Sequence, residues 1–236
     1  MFSILNYNLA EQGFFINLPE SKDRLDHVNL LIDRYNIKNL HKFEALKDDL
    51  HVFSCTKSHL AVFKEAKEKN LKTIFVAEDD FLIQDTCYYP KQRMSLIDVL
   101  KTVHEELQSV EWDVILLGCN PKSKTEKITN SLYKVHKSTG AWAYLIKERA
   151  YNYLLENLNY KRDYVAIDDY LPILNSKGFT TLTTVPMLIN HGVGFVSTLQ
   201  PNGPVNYDVW IQGNYHNFVY NKENSSTDLS EILNKK

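Results

Sequence analysis

The sequence predicts an α/β domain whose largely parallel sheet carries helices on both faces. Three observations predict it. Short apolar runs alternate with segments whose apolar residues recur at helical spacing. The runs are apolar throughout, as strands buried on both faces tend to be. The 236 residues, 44% of them hydrophobic, suit one domain with a sizeable core.

The elements follow in order. Phe14, Phe15, Ile16, Asn17 and Leu18, bounded by Gly13 and Pro19, read as a first buried strand. Ser21 offers an N-cap, and Leu25, Val28, Ile32 and Tyr35 predict a helix over 22–35. Residues 38–56 read as loop-rich, with a short strand over 43–46. The next helix is expected over 58–69, with Leu60, Ala61, Phe63 and Ala66 on its apolar face and Asn70 ending it. A strand over 71–77 then runs straight into Glu78, Asp79 and Asp80. Leu96, Val99, Leu100, Val103 and Leu107 predict a helix over 95–107. A buried strand over 112–117 is expected to end at Gly118, and 122–130 reads as an exposed loop. A strand over 141–146 leads to a helix through Ala150, Tyr153, Leu154 and Leu158. Asp168 and Asp169 open a further helical stretch that Gly178 terminates at its C′ position. Residues 179–185 form the last strand. The domain is read as 1–220 and the loosely attached tail as 221–236.

Charge excludes one class of function. The 27 basic residues against 29 acidic ones leave −2, too little surplus for a chain that holds nucleic acid by bulk electrostatics. No apolar run approaches the roughly 18 residues that span a bilayer. The first twenty residues carry an early Asn and a Glu and no basic start, unlike a secretory leader. Cys55, Cys87 and Cys119 form no CxxC pair, so neither a zinc knuckle nor a disulfide scaffold is expected. They read as inert small hydrophobes in a reducing, cytoplasmic compartment.

The most informative constellation is Glu78, Asp79 and Asp80. A buried strand delivers three acids to its carboxyl end, where open α/β sheets bind ligands. Crowded carboxylates repel one another unless a cation neutralises them. Along an extended chain Glu78 and Asp80 face one way and Asp79 the other. That pair is expected to meet one hard divalent cation, with sites left for diphosphate oxygens. An acidic triplet by itself also reads as a solvated turn or helix start.

Taken together, several segments resemble glycosyltransferase family 25, which includes lipooligosaccharide sugar transferases and collagen galactosyltransferases. Residues 15–24, from Phe15 through Asn17 and Pro19 to Arg24, are similar to the family's opening "INL…R" segment. Phe43, Glu44 and Ala45 with Asp48 and Asp49 resemble its "f.A.dg" region. Cys55, Thr56, Lys57, Ser58 and His59 match "GC..SH", with Ser54 in place of the glycine. Residues 75–80 match "ILEDD", residues 139–146 match "tG..aYlIs", and Ile167-Asp168 matches the later "iD".

The resemblance implies a GT-A-like (Rossmann-like) mixed sheet flanked by helices. It implies an inverting glycosyltransferase that moves a sugar from a nucleotide-sugar donor, UDP-linked, to a glycan or glycoconjugate acceptor. Metal assistance would come from Mn²⁺ (or Mg²⁺), and contact with a membrane would be peripheral. Asp80, Glu78 and His191 become the metal ligands, since imidazole with carboxylates suits Mn²⁺. Asn17, Arg24, Asp48, Ser58, His59, Glu78, Asp79, Gly140 and Trp142 become donor-binding residues. Ser58 and His59 would do so from a helix start, whose N–H groups favour phosphate. Ser58 reads equally as an N-cap, His59 as a satisfied histidine, Asp48 and Asp49 as turn formers, and Trp142 as core. Asp168 and Asp169 are the candidates for the catalytic base, with Asp168 preferred at the "iD" position. Two rivals stand beside this reading. A non-catalytic nucleotide- or glycan-binding domain would be expected to lose Asp80 or the later acid, and both are present. A metal-dependent phosphohydrolase would need a second His-Asp cluster, which the sequence lacks.

Overall fold

Apolar side chains that alternate between two sides of each central strand dictate the architecture. The computed structural model describes residues 9–83, 86–89, 92–192 and 195, with backbone alone at 86–89 and 92–94. The Cys87 side chain, the limit at residue 220 and the tail at 221–236 lie outside the described residues.

The chain opens with β1 (Gln12–Asn17), α1 (Lys22–Tyr35), β2 (Leu40–Glu44) and α2 (His51–Glu68). Next come β3 (Thr73–Glu78), β4 (Phe81–Ile83), β5 (Thr86–Tyr89), β6 (Gln92–Ser95) and α3 (Leu96–Leu107). Then follow β7 (Val114–Pro121), β8 (Glu126–Lys127), β9 (Leu132–Lys134) and β10 (Ser138–Lys147). The described part closes with α4 (Glu148–Asn157), α5 (Tyr160–Asp163), α6 (Ile167–Ile173), a 3-10 turn at Leu174–Lys177, β11 (Thr181–Thr184) and β12 (Ile189–His191).

Eight strands form one sheet in the order β2-β1-β3-β10-β7-β11-β9-β8. Phe15, Phe75, Ala77, Ile115 and Leu117 pack on one face with Val28 and Leu31 of α1 and Val99, Leu100 and Val103 of α3. Their chain neighbours Phe14, Ile16, Ile74, Val76, Val114 and Leu116 pack on the other, with Val62 and Phe63 of α2, Ala150 and Leu154 of α4 and Leu171 of α6. Helices thus cover both faces, as the sequence predicts. The pairings, however, are mixed: β1–β2, β1–β3 and β7–β11 are parallel, whereas β10 runs antiparallel to β3 and β7. An apolar run does not encode its own direction, so the expectation of a largely parallel sheet fails at β10, and again at β9, which runs antiparallel to β11 and β8.

That reversal matters for position. The carboxyl ends of β1, β3 and β7 share one edge, and β10 brings its beginning, Ser138 to Trp142, to the same edge. The β10–β7 register shifts between Thr139 and Ala143, a bulge of the kind that re-aims side chains beside functional sites. A small two-stranded sheet pairs β12 with β4, placing His191 opposite Phe81. Asp80 and His191, distant in sequence, are thereby brought side by side.

One boundary corrects a functional expectation. The second helix begins at His51, not Ser58, so Ser58 and His59 lie in its interior and have no helix-start N–H groups to offer a phosphate. No acid marks its first turn, and buried Phe53 and Thr56 extend the packed face toward its beginning.

Candidate active site

A cavity of about 830 Å³ opens at the shared strand edge. Its lining includes Arg24, Asp48, Cys55, Ser58, His59, Glu78, Asp79, Asp80, Gly140, Trp142, Asp168 and His191. Nearly every residue singled out in the sequence therefore meets at one place. Asn17, Asp49 and Asp169 are not among the lining residues.

The acid triplet does not alternate as an extended chain would. β3 ends at Glu78, and Asp79 and Asp80 occupy a turn, so both reach the same cation. Arg24 Nη1 donates to Asp79 Oδ1 at 2.7 Å and to Asp80 Oδ2 at 2.9 Å, with all three side chains at most 10% exposed. Asn17 Nδ2 adds a bond to Asp79 Oδ2 at 2.8 Å and another to the Ser21 carbonyl at 3.1 Å. Asn17 therefore reaches the site from behind, through Asp79. Phe195 lies against the Arg24 guanidinium, 5.4 Å from ring centroid to Cζ. His191 Nε2 sits 3.1 Å from Asp80 Oδ2.

Charge decides the protonation of these groups. Burial works to raise the Asp80 pKa, but the His191 hydrogen bond and the charges of His191 and Arg24 hold it below the ordinary value. Burial works to lower His191, and Asp80 more than reverses that. Asp79 is raised, because burial outweighs its bonds to Arg24 and Asn17. Glu78 is pushed up to about 8 by burial and then by the charges of Asp80 and Asp168. One oxygen, Asp80 Oδ1, is buried without a hydrogen-bond partner among the described residues.

Glu78 faces a different set of neighbours. Cys55 Sγ and His59 Nε2 each lie 3.7 Å from Glu78 Oε1. Among the described residues, Cys55, His59 and Glu78 are the group whose ligand atoms all lie within 4.8 Å of one another. Burial pushes His59 down to about 4 and the Cys55 thiol well up, so both are neutral near pH 7. Nothing in the sequence marks Cys55 as a neighbour of the acids.

The remaining candidates divide. Asp168 Oδ2 accepts the Gly140 N–H at 2.9 Å and Oδ1 accepts the Asp169 N–H at 3.0 Å, which fixes the carboxylate at the cavity edge. Gly140 has φ +85, and a Cβ there would fall 2.6 Å from the Trp142 ring; only glycine suits that backbone. Trp142 is 6% exposed and packs edge-on against His191, 6.3 Å between centroids. It is chiefly core, with one edge on the cavity. Ser58 Oγ donates to the Ser54 carbonyl at 2.7 Å and accepts the Leu46 N–H at 2.8 Å, tying down the loop before α2. The Asp48 carboxylate is taken up by Lys161 at 2.7 Å and by the Tyr160 hydroxyl at 3.1 Å. Asn120 and Lys122 also line the cavity. Sequence reasoning misses them because it ends the strand at Gly118, whereas β7 runs on to Pro121.

The model of glycosyltransferase family 25, described as an LPS biosynthesis protein, matches residues 49–171, more than half of the chain. No curated protein matches. Among solved structures, the chain is similar to a putative glucose-1-phosphate thymidylyltransferase from Bacillus anthracis, in complex with a sucrose. That likeness has 10% identity and a TM-score of 0.45, covering 76% of this chain and 89% of that one. It is similar to a nucleoside-diphosphate-sugar pyrophosphorylase from Vibrio cholerae RC9 at 12% identity and TM-score 0.41, over 77% and 76% of the two chains. A UDP-glucose pyrophosphorylase complexed with UDP-glucose matches at 8% identity and TM-score 0.44, over 77% of each chain.

Proposed function

Because the chain belongs to glycosyltransferase family 25, we propose that its cavity binds a nucleotide-sugar donor, UDP-linked, with a divalent cation. The sugar passes to a hydroxyl of a glycan or glycoconjugate acceptor, with inversion at the anomeric carbon. In this reading the mixed sheet is a GT-A fold. The acceptor is a saccharide of lipopolysaccharide or a related glycan. The catalyst is cytoplasmic and at most peripherally in contact with a membrane; no described helix is long and apolar enough to cross one.

The observation that carries the reading is Asp80 Oδ1, buried in the cavity wall with no hydrogen-bond partner among the described residues, in a site whose six lining acids include Glu78 and Asp168. A buried carboxylate oxygen without a donor is costly, and a cation would satisfy it. Two carboxylates and an imidazole also suit Mn²⁺ or Mg²⁺ chemically. Asp80, with Glu78 and His191, would hold that ion once His191 Nε2 gives up its contact with Asp80; as they stand, the ligand atoms of these three do not all lie within 4.8 Å of one another. When bound, it supplies Lewis acidity to the departing diphosphate.

The chain's own residues do the rest. Arg24 and Asn17 fix Asp79, and Arg24 fixes Asp80 as well, so the acid edge is set before donor arrives. Asp168, held by two backbone N–H groups, is positioned to take the proton from the acceptor hydroxyl. Asp169 supports it through the N–H that Asp168 accepts. Lys122 on the same rim adds positive charge for an anionic donor.

The test is a panel of nucleotide sugars scored by thermal shift with and without Mn²⁺, followed by product analysis with a saccharide acceptor. A UDP-sugar is expected to raise the melting midpoint only with the metal, and to release UDP when acceptor is added. Donor binding without transfer would favour the accessory-domain rival. A chain that binds no nucleotide sugar would overturn the reading.

A further inference from the structure

Tyr144 entered none of the site expectations, yet it is completely buried and its hydroxyl lies 2.7 Å from His59 Nδ1. The two rings stack, 5.7 Å between centroids at 25°. The far side of the imidazole, Nε2, is buried with no hydrogen-bond partner among the described residues and faces Glu78 Oε1 at 3.7 Å. Cys55 Sγ faces the same oxygen at the same distance.

Hydrogen-bond arithmetic fixes the tautomer. A buried phenol must place its hydrogen on an acceptor or lose about 1–3 kcal/mol. Among the described residues, His59 Nδ1 lies within hydrogen-bond reach of the Tyr144 hydroxyl. If Tyr144 donates to Nδ1, the ring's own hydrogen sits on Nε2. The opposite tautomer would strand the phenol hydrogen.

We propose that Tyr144 and His59 are positioning residues: the phenol sets the imidazole so that Nε2–H, beside the Cys55 thiol, faces one oxygen of Glu78 from 3.7 Å as a favourable dipole and closes to a hydrogen bond when Glu78 gives up its proton to a ligand, which leaves the other oxygen for that ligand. The inference rests on Glu78 serving the cation and donor side of the proposed transferase. The wall arrangement itself is independent of that reading. Removing such an outer partner of a ligating group typically costs 10–100-fold in metal affinity or activity.

Two measurements test it. In protein labelled with ¹⁵N-histidine, long-range ¹H–¹⁵N spectra near pH 7 are expected to show His59 with its proton on Nε2. Tyr144→Phe, which preserves the ring and the packing, is expected to shift that resonance toward the other tautomer. A wild-type His59 protonated on Nδ1 would overturn the proposal. In the second measurement, His59→Gln keeps an N–H near the position of Nε2, whereas His59→Ala does not. Mn²⁺ affinity, read by calorimetry, is expected to fall roughly 10–100-fold in the alanine variant and to stay within about 5-fold in the glutamine variant. Equal affinities in two folded variants would also overturn it. The readings separate cleanly: a wild type inactive on every nucleotide sugar defeats the transferase, while the tautomer defeats or sustains the relay regardless.

Discussion

Asp79 and Asp80 differ from Glu78 by one or two positions in the chain, and their surroundings are opposite. Arg24 lies on both aspartates, with Asn17 on one and His191 on the other. Glu78 has a neutral thiol and a neutral imidazole beside it and the repulsion of Asp80 and Asp168 around it. The same kind of side chain is therefore clasped by a guanidinium and further donors in one place, and pushed toward its neutral form by burial and neighbouring acids in the other. The difference teaches that clustering of acids is not itself the site. What matters is which carboxylate the protein has already satisfied and which it has left short of positive charge.

Asp80 belongs to both halves, so neutralising it damages the site most. Asp80→Asn keeps the shape and leaves Arg24 paired with Asp79. Transfer is expected to fall by roughly 10²–10³-fold, the scale of losing one charge-stabilising group at a reacting centre. The melting midpoint should move by only about 2–4 °C, corresponding to about 1 kcal/mol in a chain of this size. Initial rates with the identified donor and a thermal melt read both quantities; unchanged turnover would remove Asp80 from the chemistry.

Arg24→Met attacks the satisfied half. Stripping the cation from two buried aspartates is expected to cost about 3–5 kcal/mol in denaturant unfolding. The deficit should shrink on acidification. Without Arg24 the folded-state pKa of Asp79, already raised in wild type, climbs further, and that of Asp80 rises from its lowered position past the unfolded value of about 3.9. A raised carboxyl contributes stability at low pH and loses it as pH increases. Relative to wild type, the variant should therefore recover between pH 7 and about pH 4.5. A deficit independent of pH would mean that packing, and not charge, holds this half together.

Glu78→Gln probes the unsatisfied half, with a smaller effect on stability and the opposite sign. In the fold Glu78 titrates near 8, against about 4.3 in an unfolded chain. Its folded form binds the extra proton, so wild-type stability falls as pH climbs from about 4 to 8. The glutamine variant lacks that loss and should overtake wild type toward pH 8. Mn²⁺ binding to wild type at pH 7 should release on the order of one proton, since ligands must be deprotonated. Calorimetry in buffers of different ionisation enthalpy measures the release, which the variant should lack.

Much of this was legible in the sequence. The runs at Phe14–Ile16 and Ile74–Ala77 announce strands buried on both faces, and the acids after the second announce the edge where ligands bind. The ordered motifs bring Arg24, Asp80, Gly140 and Asp168 to one cavity, as the resemblance implies. What was hidden depends on tertiary contact. The direction of β10 is invisible because Ala141 to Ile146 would look the same in either orientation. The His51 start of α2 carries no acidic signal. Tyr144 reads as one more aromatic in an apolar run, and only the packing of α2 on β10 makes it a partner of His59. The turn at Asp79 and Asp80 likewise defeats the alternation expected of an extended chain.

The mildest test concerns an ion pair that resembles the Arg24 cluster on paper and differs from it in exposure. Lys161 Nζ lies 2.7 Å from Asp48 Oδ1, closer than many buried pairs, yet the lysine is 51% exposed. Asp48 keeps Lys57 at 3.4 Å and the Tyr160 hydroxyl at 3.1 Å when Lys161 is removed. Its pKa is lowered first by Lys161, then by the Asp49 N–H, so the carboxylate stays charged without the lysine. Solvent takes over what the lost ammonium supplied. Lys161→Ala is therefore expected to lower the denaturation midpoint only slightly. The cost should fade toward 1 M salt, where screening acts over about 3 Å. Turnover should be unchanged, and the donor KM decides what Asp48 does. If Asp48 contacts the base or ribose, freeing its carboxylate from Lys161 alters KM without altering kcat. A KM identical to wild type leaves Asp48 as the post that ties α5 to the loop before α2.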